Sequence, residues 1–481
     1  MMSESMAEMR RLESWPNNKP AISPSAFAWV KIGLGRMPLV GLGVGLTLLE
    51  LVLIGLFLGI HAGFIFYSYR RSNTEHFAKS LGEVVHWDLA LSLLFVTRNS
   101  IWQVLFSCSF ERAIAYHRWI SNTAIAMVIA HGTVFHVTWL KEGRQKWIDE
   151  ALKKTDNLFG EVAVACYLVI IAMSLPFVRR RLFELFRWAH IIFVPSFIVF
   201  ILLHHGGGGF LMKASVSLFF YGVDLLYRLY SILISPKSRA AVVSAQKVCS
   251  DIVKLTIKVD GRFAYSAGQY VFLTLPAVAP LQAHPFTISS APPAPGGGHD
   301  GEFTVHVKSA GNYTHQLLRA VEMRPGTIAS GRVEGPYGAL SVDPFAYRRV
   351  VLVAGGIGVT PMLAIMRHMH DRGAPLADKV SLHWSVPQLA LYLAFSNDMK
   401  LDSAGVFESH VYVTRADLGD EATAQVAGTV DLHVGQGRPD LAGIIADEVR
   451  QAWPDRVAVL VTGVCGRHPG SVDLHAETFA L

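Results

Sequence analysis

Six apolar stretches, at residues 38–67, 85–107, 113–140, 160–178, 182–204 and 209–234, fill the first half of this chain. Each is long enough, as a helix, to cross about 30 Å of hydrocarbon. With 481 residues, 51% of them hydrophobic, and a mean hydropathy of +0.35, the chain is too long for one domain and too apolar to be wholly soluble. A six-span helical bundle with an attached soluble part is expected. The first 37 residues are polar and dotted with prolines, and the apolar run beginning near Pro38 is longer than the core of a cleavable signal peptide, so it should remain as an anchor.

Beyond Ile234 the character changes. Pro236 and Gly261 appear, then short β-rich runs at 252–259 and 270–275, separated by Gly- and Pro-rich loops. From about residue 347, strands at 350–353, 380–384, 409–414 and 457–461 alternate with helical segments, the pattern of a parallel α/β sheet. The expected organisation is a cytosolic segment 1–37, a transmembrane region 38–235, a β domain 236–346 and an α/β domain 347–481.

The net charge of +6 comes with no basic run beyond Arg179, Arg180 and Arg181 and no nucleic-acid motif. Loops facing anionic lipid account for it, and no DNA or RNA partner is expected. Cys108, Cys166, Cys249 and Cys465 are scattered without a CxxC spacing, so neither a disulfide framework nor a cysteine-bound metal follows. Arg179, Arg180, Arg181 and Arg187 between the fourth and fifth spans, and the nucleotide-using region after the sixth, place both termini in the cytosol. Lys141, Arg144, Lys146, Lys153 and Lys154 oppose that orientation, and four acidic residues nearby soften the conflict without removing it.

The third and fifth spans each carry two histidines 14 residues apart, His117 with His131 and His190 with His204. At 3.6 residues per turn, each pair lies on one helix face, roughly 21 Å apart along the axis. The two spans run the same way, so His117 meets His190 at one depth and His131 meets His204 at another. Two pairs of facing imidazoles suit two low-spin haems stacked across the bilayer. A single histidine in a span is more often a hydrogen-bonded packing residue, but the repeated spacing favours haem. His205 is adjacent to His204 and is an alternative outer ligand; His136 falls off the ligand face, and His61 and His86 are read as structural. Among charges inside spans, Arg98 suits a haem propionate and Glu50 suits capping or snorkelling.

In the soluble half, His284, Pro285, Phe286 and Thr287, followed by Ile288, Ser289 and Ser290, join an extended backbone to hydroxyls, which suits a strand laid along the isoalloxazine ring of FAD. Lys308 and the turn Gly311, Asn312, Tyr313, Thr314 offer a positive charge and backbone N–H groups to the FAD pyrophosphate, or form an ordinary hairpin. The turn Gly335, Pro336, Tyr337, Gly338 closes the β domain. A buried strand then runs into Gly355, Gly356, Ile357, Gly358, Val359, Thr360 and Pro361, a glycine loop and helix start fitted to the phosphates of a dinucleotide. Arg415 and Arg438 are either 2′-phosphate partners, selecting NADPH, or solvated surface arginines. Cys465 and Gly466 follow the last apolar strand, beside the nicotinamide or simply at a strand end.

From about Glu83 to its C-terminus the chain resembles the ferric reductase and NADPH oxidase superfamily. The resemblance rests on Phe110-Glu111 with His117-Arg118-Trp119, the doubled histidine spacing, His284-Pro285-Phe286-Thr287, Gly355 to Pro361, Gly437-Arg438-Pro439 and Cys465-Gly466. It implies two b-type haems within six helices and a cytosolic module like ferredoxin-NADP reductase, made of an antiparallel FAD-binding β-barrel and an α/β NADPH domain. It also implies an aromatic residue stacked on the flavin, here Phe479, although the segment after Cys465 is shorter than the family's tail. Oxidases of this kind carry a long outer connection after the fifth span and a further histidine four residues past the outer ligand of the third. Here the connection is residues 206–209 and position 135 is Phe135. Both departures open the outer haem to a bulky acceptor, a ferric or cupric chelate, in preference to dioxygen. No calcium-binding loop is recognisable, so calcium gating is not expected. A proton channel or transporter with a nucleotide-sensing domain, the reading from another class, explains neither the histidine spacing nor the flavin motif.

Overall fold

A computed structural model of the chain describes residues 48–71, 73–99, 110–204, 208–235, 238–259, 263–280, 282–293, 301–323, 328–338, 340, 342–373, 376–399, 405–414, 432–453, 455–462 and 473–477. Those up to Gly59 belong to one unit and those from Ile60 to a second.

The apolar half forms helices α1 (Leu48–Arg71), α2 (Thr74–Leu94), α3 (Phe110–Lys141), α4 (Arg144–Ile148), α5 (Thr155–Ser174), α6 (Pro176–Arg181), α7 (Phe183–Leu203) and α8 (Gly208–Leu233), with a π-helical turn at Asp149–Lys153. Five are long and apolar enough to cross a membrane: Leu51–Arg71, Ala113–Lys141, Thr155–Ser174, Phe183–Leu203 and Gly209–Ser231. The expected second span, 85–107, is corrected. Its helix is α2, which begins eleven residues earlier, is capped by Asn73, whose side chain accepts from the His76 N–H, and ends at Leu94. Only one face of α2 is apolar, with Ala78, Leu81, Val84, Val85 and Leu89 buried, while Glu75, Lys79 and Glu83 lie on the rest. Averaged hydropathy therefore slid the expected span toward the more uniformly apolar residues that follow.

α2 packs inside the bundle all the same. Val85 and Leu89 share a core with Ala124 of α3, Ala163 and Tyr167 of α5, Phe197 and Ile201 of α7 and Phe210 of α8. Tyr167 and Phe197 stack with ring centres 4.6 Å apart. Outward-facing Leu168, Ile191, Ile192, Val199, Phe219 and Leu226 leave an apolar exterior suited to lipid.

The first part of the soluble half is a six-stranded antiparallel sheet of β1 (Arg239–Cys249), β2 (Ile252–Val259), β3 (Tyr270–Thr274), β4 (His284–Thr287), β5 (Glu302–Lys308) and β6 (Ser330–Tyr337), ordered β4-β3-β6-β1-β2-β5. An antiparallel bridge from Ile288 to Val305 links its two edges. Alternate residues point inward, so Val253, Leu255, Ile257, Val271, Leu273, Phe303 and Val305 form one core, which Leu317 and Val321 of α9 (Asn312–Met323) cover.

The second sheet is parallel: β7 (Arg349–Gly355), β8 (Lys379–Val386), β9 (Phe407–Val413), β10 (Leu432–Gln436), β11 (Val457–Thr462) and β12 (Asp473–Glu477), ordered β10-β9-β8-β7-β11-β12. α10 (Val359–Asp371) and α11 (Leu389–Met399) cover one face and α12 (Leu441–Ala452) the other. Covered on both faces, β7 reads as an unbroken apolar run. The chain builds outward from β7 to β10 and then returns to β11 on the other side, which makes the carboxyl ends of β7 and β11 a topological switch point, where ligands bind in such sheets.

Candidate functional site

The deepest chemical feature lies in the helical bundle. His131 of α3 and His204, which caps α7, face each other with ring centres 6.4 Å apart and ring planes 88° apart. The His131 Nδ1 donates to the Ala78 carbonyl at 2.8 Å and the His204 Nδ1 to the Asp156 carbonyl at 2.7 Å. A carbonyl only accepts, so both rings carry their proton on Nδ1, which makes Nε2 the nitrogen with the lone pair. Metal–imidazole bonds of about 2 Å would put the centres of two trans imidazoles roughly 6 Å apart, so the spacing fits one metal between them. Among the described residues no group of three or more His, Cys, Asp or Glu gathers around a point. A haem supplies its own equatorial donors and asks only two imidazoles of the protein.

His117 of α3 donates from Nδ1 to the Ser92 carbonyl at 3.1 Å, the same arrangement again. It lies near His190 of α7, whose buried Nδ1 has no hydrogen-bond partner among the described residues. The structure sets His131 opposite His204 and His117 near His190. His205 lies outside the described residues. His136 turns away to accept from Trp147 Nε1 at 2.8 Å and meets Glu161 at 3.1 Å. His61 is 2.8 Å from Asp88, and His86 packs on Phe210. Of Glu50, only the backbone in α1 is described.

Arg98 is placed differently from the expectation. α2 has ended before it, and its guanidinium lies over the Phe272 ring of β3, 3.8 Å from the centroid, with Glu334 of β6 at 3.9 Å. Asp224 of α8 accepts from the N–H of Arg98 and from the N–H and side-chain amide of Asn99 at 2.9–3.1 Å. The Tyr337 hydroxyl sits 2.6 Å from Glu334 and 2.9 Å from Asn99 Oδ1. Burial, with the neighbouring Glu334 charge, pushes that phenol well above its ordinary range.

His284, Pro285, Phe286 and Thr287 form β4, hydrogen-bonded to β3 and half-buried. His284 stacks on Tyr313 with ring centres 3.9 Å apart. Burial, with a smaller contribution from Arg187 at the start of α7, lowers its imidazole to about 4, so it is neutral at physiological pH. The Gly311–Thr314 segment is the start of α9 and not a hairpin. The Thr314 hydroxyl accepts from the N–H groups of Ala310 and Gly311, and Lys308 is 3.5 Å from Asp251, so these groups already hold partners within the protein. The strand carrying His284 is half-buried beside the His284–Tyr313 stack, and Lys308 shares its charge with Asp251.

At the switch point, Gly355, Gly356 and Gly358 form the turn between β7 and α10. Gly356 takes φ +55°, a conformation open to glycine at little cost. Trp384 of β8 donates to the Gly356 carbonyl at 2.9 Å, and Thr462 of β11 donates to the Gly358 carbonyl. Thr360 and Pro361 occupy the first turn of α10, whose start has no side-chain cap, leaving its N–H groups and the positive end of the helix dipole for a phosphate. Exposed Arg438 follows β10 on the same carboxyl edge of the sheet. Arg415, Cys465, Gly466 and Phe479 lie outside the described residues. Sequence reading missed Trp384, Thr462 and Asp224, because their partners are distant in the chain.

Comparison with known proteins bears on all three regions. The family described as ferric reductase like transmembrane component matches residues 81–201, an FAD-binding domain family matches 237–341, and the ferric reductase NAD binding domain family matches 347–469. Ferric reduction oxidase 2 of Arabidopsis thaliana is 27% identical over 74% of this chain and 49% of its own length. A heavy chain of the superoxide-generating NADPH oxidase of Dictyostelium discoideum is 29% identical over 80% of this chain and 84% of its own length. Another superoxide-generating NADPH oxidase heavy chain of the same organism is 27% identical over 65% of this chain and 49% of its own length. The chain spans about half the length of several curated relatives it matches, among them ferric reduction oxidase 2. With successive family matches over its helical, FAD-binding and NAD-binding parts, the chain is a multi-pass membrane protein that belongs to the ferric reductase and NADPH oxidase superfamily.

Proposed function

We propose that this chain carries electrons across a membrane, from cytosolic NADPH to an acceptor on the other side. The observation that carries the reading is the facing pair His131 and His204, 6.4 Å apart inside an apolar bundle, in one chain with a strand–glycine-loop–helix phosphate site. When bound, FAD would turn a two-electron hydride transfer into single-electron steps and two haems would relay electrons one at a time. The protein's own part is positioning. β4, with Tyr313 beneath His284, holds the isoalloxazine; the α10 N-terminus takes the dinucleotide phosphates; Arg438 and Arg415 take the 2′-phosphate. His117 with His190 and His131 with His204 would hold the inner and outer haem, and the resemblance assigns Cys465 to the nicotinamide and Phe479 to the flavin.

For the acceptor, the connection after α7 is short, since α8 begins at Gly208. That leaves the outer pair open, which favours a ferric or cupric chelate. Dioxygen, yielding superoxide or hydrogen peroxide, is the second reading, favoured by the 84% coverage of one Dictyostelium oxidase heavy chain. Purified detergent-solubilised protein reduced with NADPH under argon, then given ferric chelate or oxygen, separates these. Haem absorbance that reoxidises fast with chelate and releases little superoxide in air supports the metalloreductase. Oxygen-driven reoxidation with superoxide supports the oxidase, and protein without a haem band overturns the whole reading.

A further inference from the structure

We propose that Gly82 of α2 and Gly160 of α5 are positioning residues that orient the His131 and His204 imidazoles and thereby tune the metal centre between them. This rests on the reading of those histidines as axial haem ligands. A Cβ built on Gly82 would meet His131 Cε1 at 3.0 Å and Nδ1 at 3.1 Å; on Gly160 it would meet His204 Cε1 and Nδ1, both at 2.9 Å. The Nδ1–Cε1 edge of each ring therefore sits against a helix at a place where any side chain would crowd it.

The hydrogen bonds repeat the pattern. His131 donates to the carbonyl of Ala78, four residues before Gly82, and His204 to that of Asp156, four residues before Gly160. In a helix the carbonyl of residue i already accepts from the N–H of residue i+4. A glycine at i+4 has no Cβ beside that carbonyl and leaves its second lone pair open to an imidazole from another helix. The outer site thus uses one device twice, a helix carbonyl with a glycine four residues later. His117 also donates to a carbonyl of α2, that of Ser92, but this lies in the last turn, where the helix ends at Leu94 before any fourth residue, so the inner site lacks the device. Gly63 and Gly222 have nothing within 4 Å of a Cβ, so the close contact does not come with every helical glycine.

A ring that is pressed against a helix and tied through Nδ1 cannot turn about its Cβ–Cγ bond, so the 88° crossing of the two planes is held in place. Crossed axial planes leave ferric low-spin iron with nearly degenerate d orbitals and an electron paramagnetic resonance signal with one very large g value; parallel planes give a rhombic signal. The Nδ1–H to carbonyl bond also raises the basicity of the ligand, which sets the reduction potential.

The full chain, purified in detergent with its haems, tests this using Gly82→Ala and Gly160→Ala, with Gly63→Ala and Gly222→Ala as controls and FAD content as the measure of folding. Wild type should show two haems, one with the large-g signal. Either test variant should abolish that signal and shift one midpoint potential, or lose one haem equivalent, while the other haem, the FAD and both controls stay as in wild type. Unchanged signals and potentials in both test variants, or equal changes in the controls, would overturn the proposal. So would a two-haem wild type without a large-g signal, a measurement that needs no variant to fold. A wild type without haem would instead sink the functional reading.

Discussion

His284 is a residue whose surroundings fix its charge. Stacked on Tyr313 and shielded from water, its imidazole is lowered to about 4 from a free value near 6.5. Between those two values the unfolded chain takes up a proton that the folded chain refuses, so stability rises with pH across that window and is lost as pH falls toward 4. His284→Gln, neutral throughout, should flatten the fall in unfolding temperature between pH 7 and pH 5, followed by flavin fluorescence; an unchanged slope would assign the acid sensitivity elsewhere. Residues of this kind were only partly legible in the sequence. The four paired histidines declared themselves because a 14-residue spacing is an intrahelical property. Gly82 and Gly160 did not, because what a glycine admits depends on which ring a neighbouring helix brings to it. Arg98 was misread as a charge inside a span because α2 ends before it and Asp224, 126 residues away, holds its backbone.

Among the elements, the loop between β7 and α10 shows how a sheet prepares a phosphate site. Its glycines do not hold their own shape; neighbouring strands do, through Trp384 and Thr462. Trp384→Phe deletes one buried hydrogen bond, worth about 1 kcal/mol, and frees the Gly356 carbonyl. The expected result is a rise of about fivefold in the KM for NADPH, by RT ln of that energy, with FAD content and kcat nearly unchanged. A KM that stays put would mean that Thr462 and α10 suffice to hold the turn. Alternating strands and helices made this element readable in advance. α2 was harder, since its charges are answered by Lys213 near exposed Glu83 and by His61 at buried Asp88, partners that hydropathy does not count.

Over the whole molecule, function requires that the soluble sheets and the bundle act as one path, and polar contacts tie the two together beside the Phe110–Phe272 ring contact. Arg332 of β6 donates to the carbonyls of Ser231, Leu233 and Ser235, closing the C-terminal end of α8, while Arg98 and Asn99 reach Phe272, Glu334 and Tyr337. A helix end left with unanswered carbonyls frays, so Arg332→Ala should loosen the hold of the antiparallel sheet on α8 without touching the nucleotide site. NADPH-driven reduction of a soluble dye, which needs only the sheets, should persist, while haem reduction in the same protein should slow by about tenfold, the effect of roughly 1.4 kcal/mol. Stopped-flow absorbance at flavin and haem wavelengths reads both rates in one experiment. If dye and haem reduction fell together, the defect would lie within the flavin-facing sheet; if neither changed, electrons would cross this junction without needing it held in register.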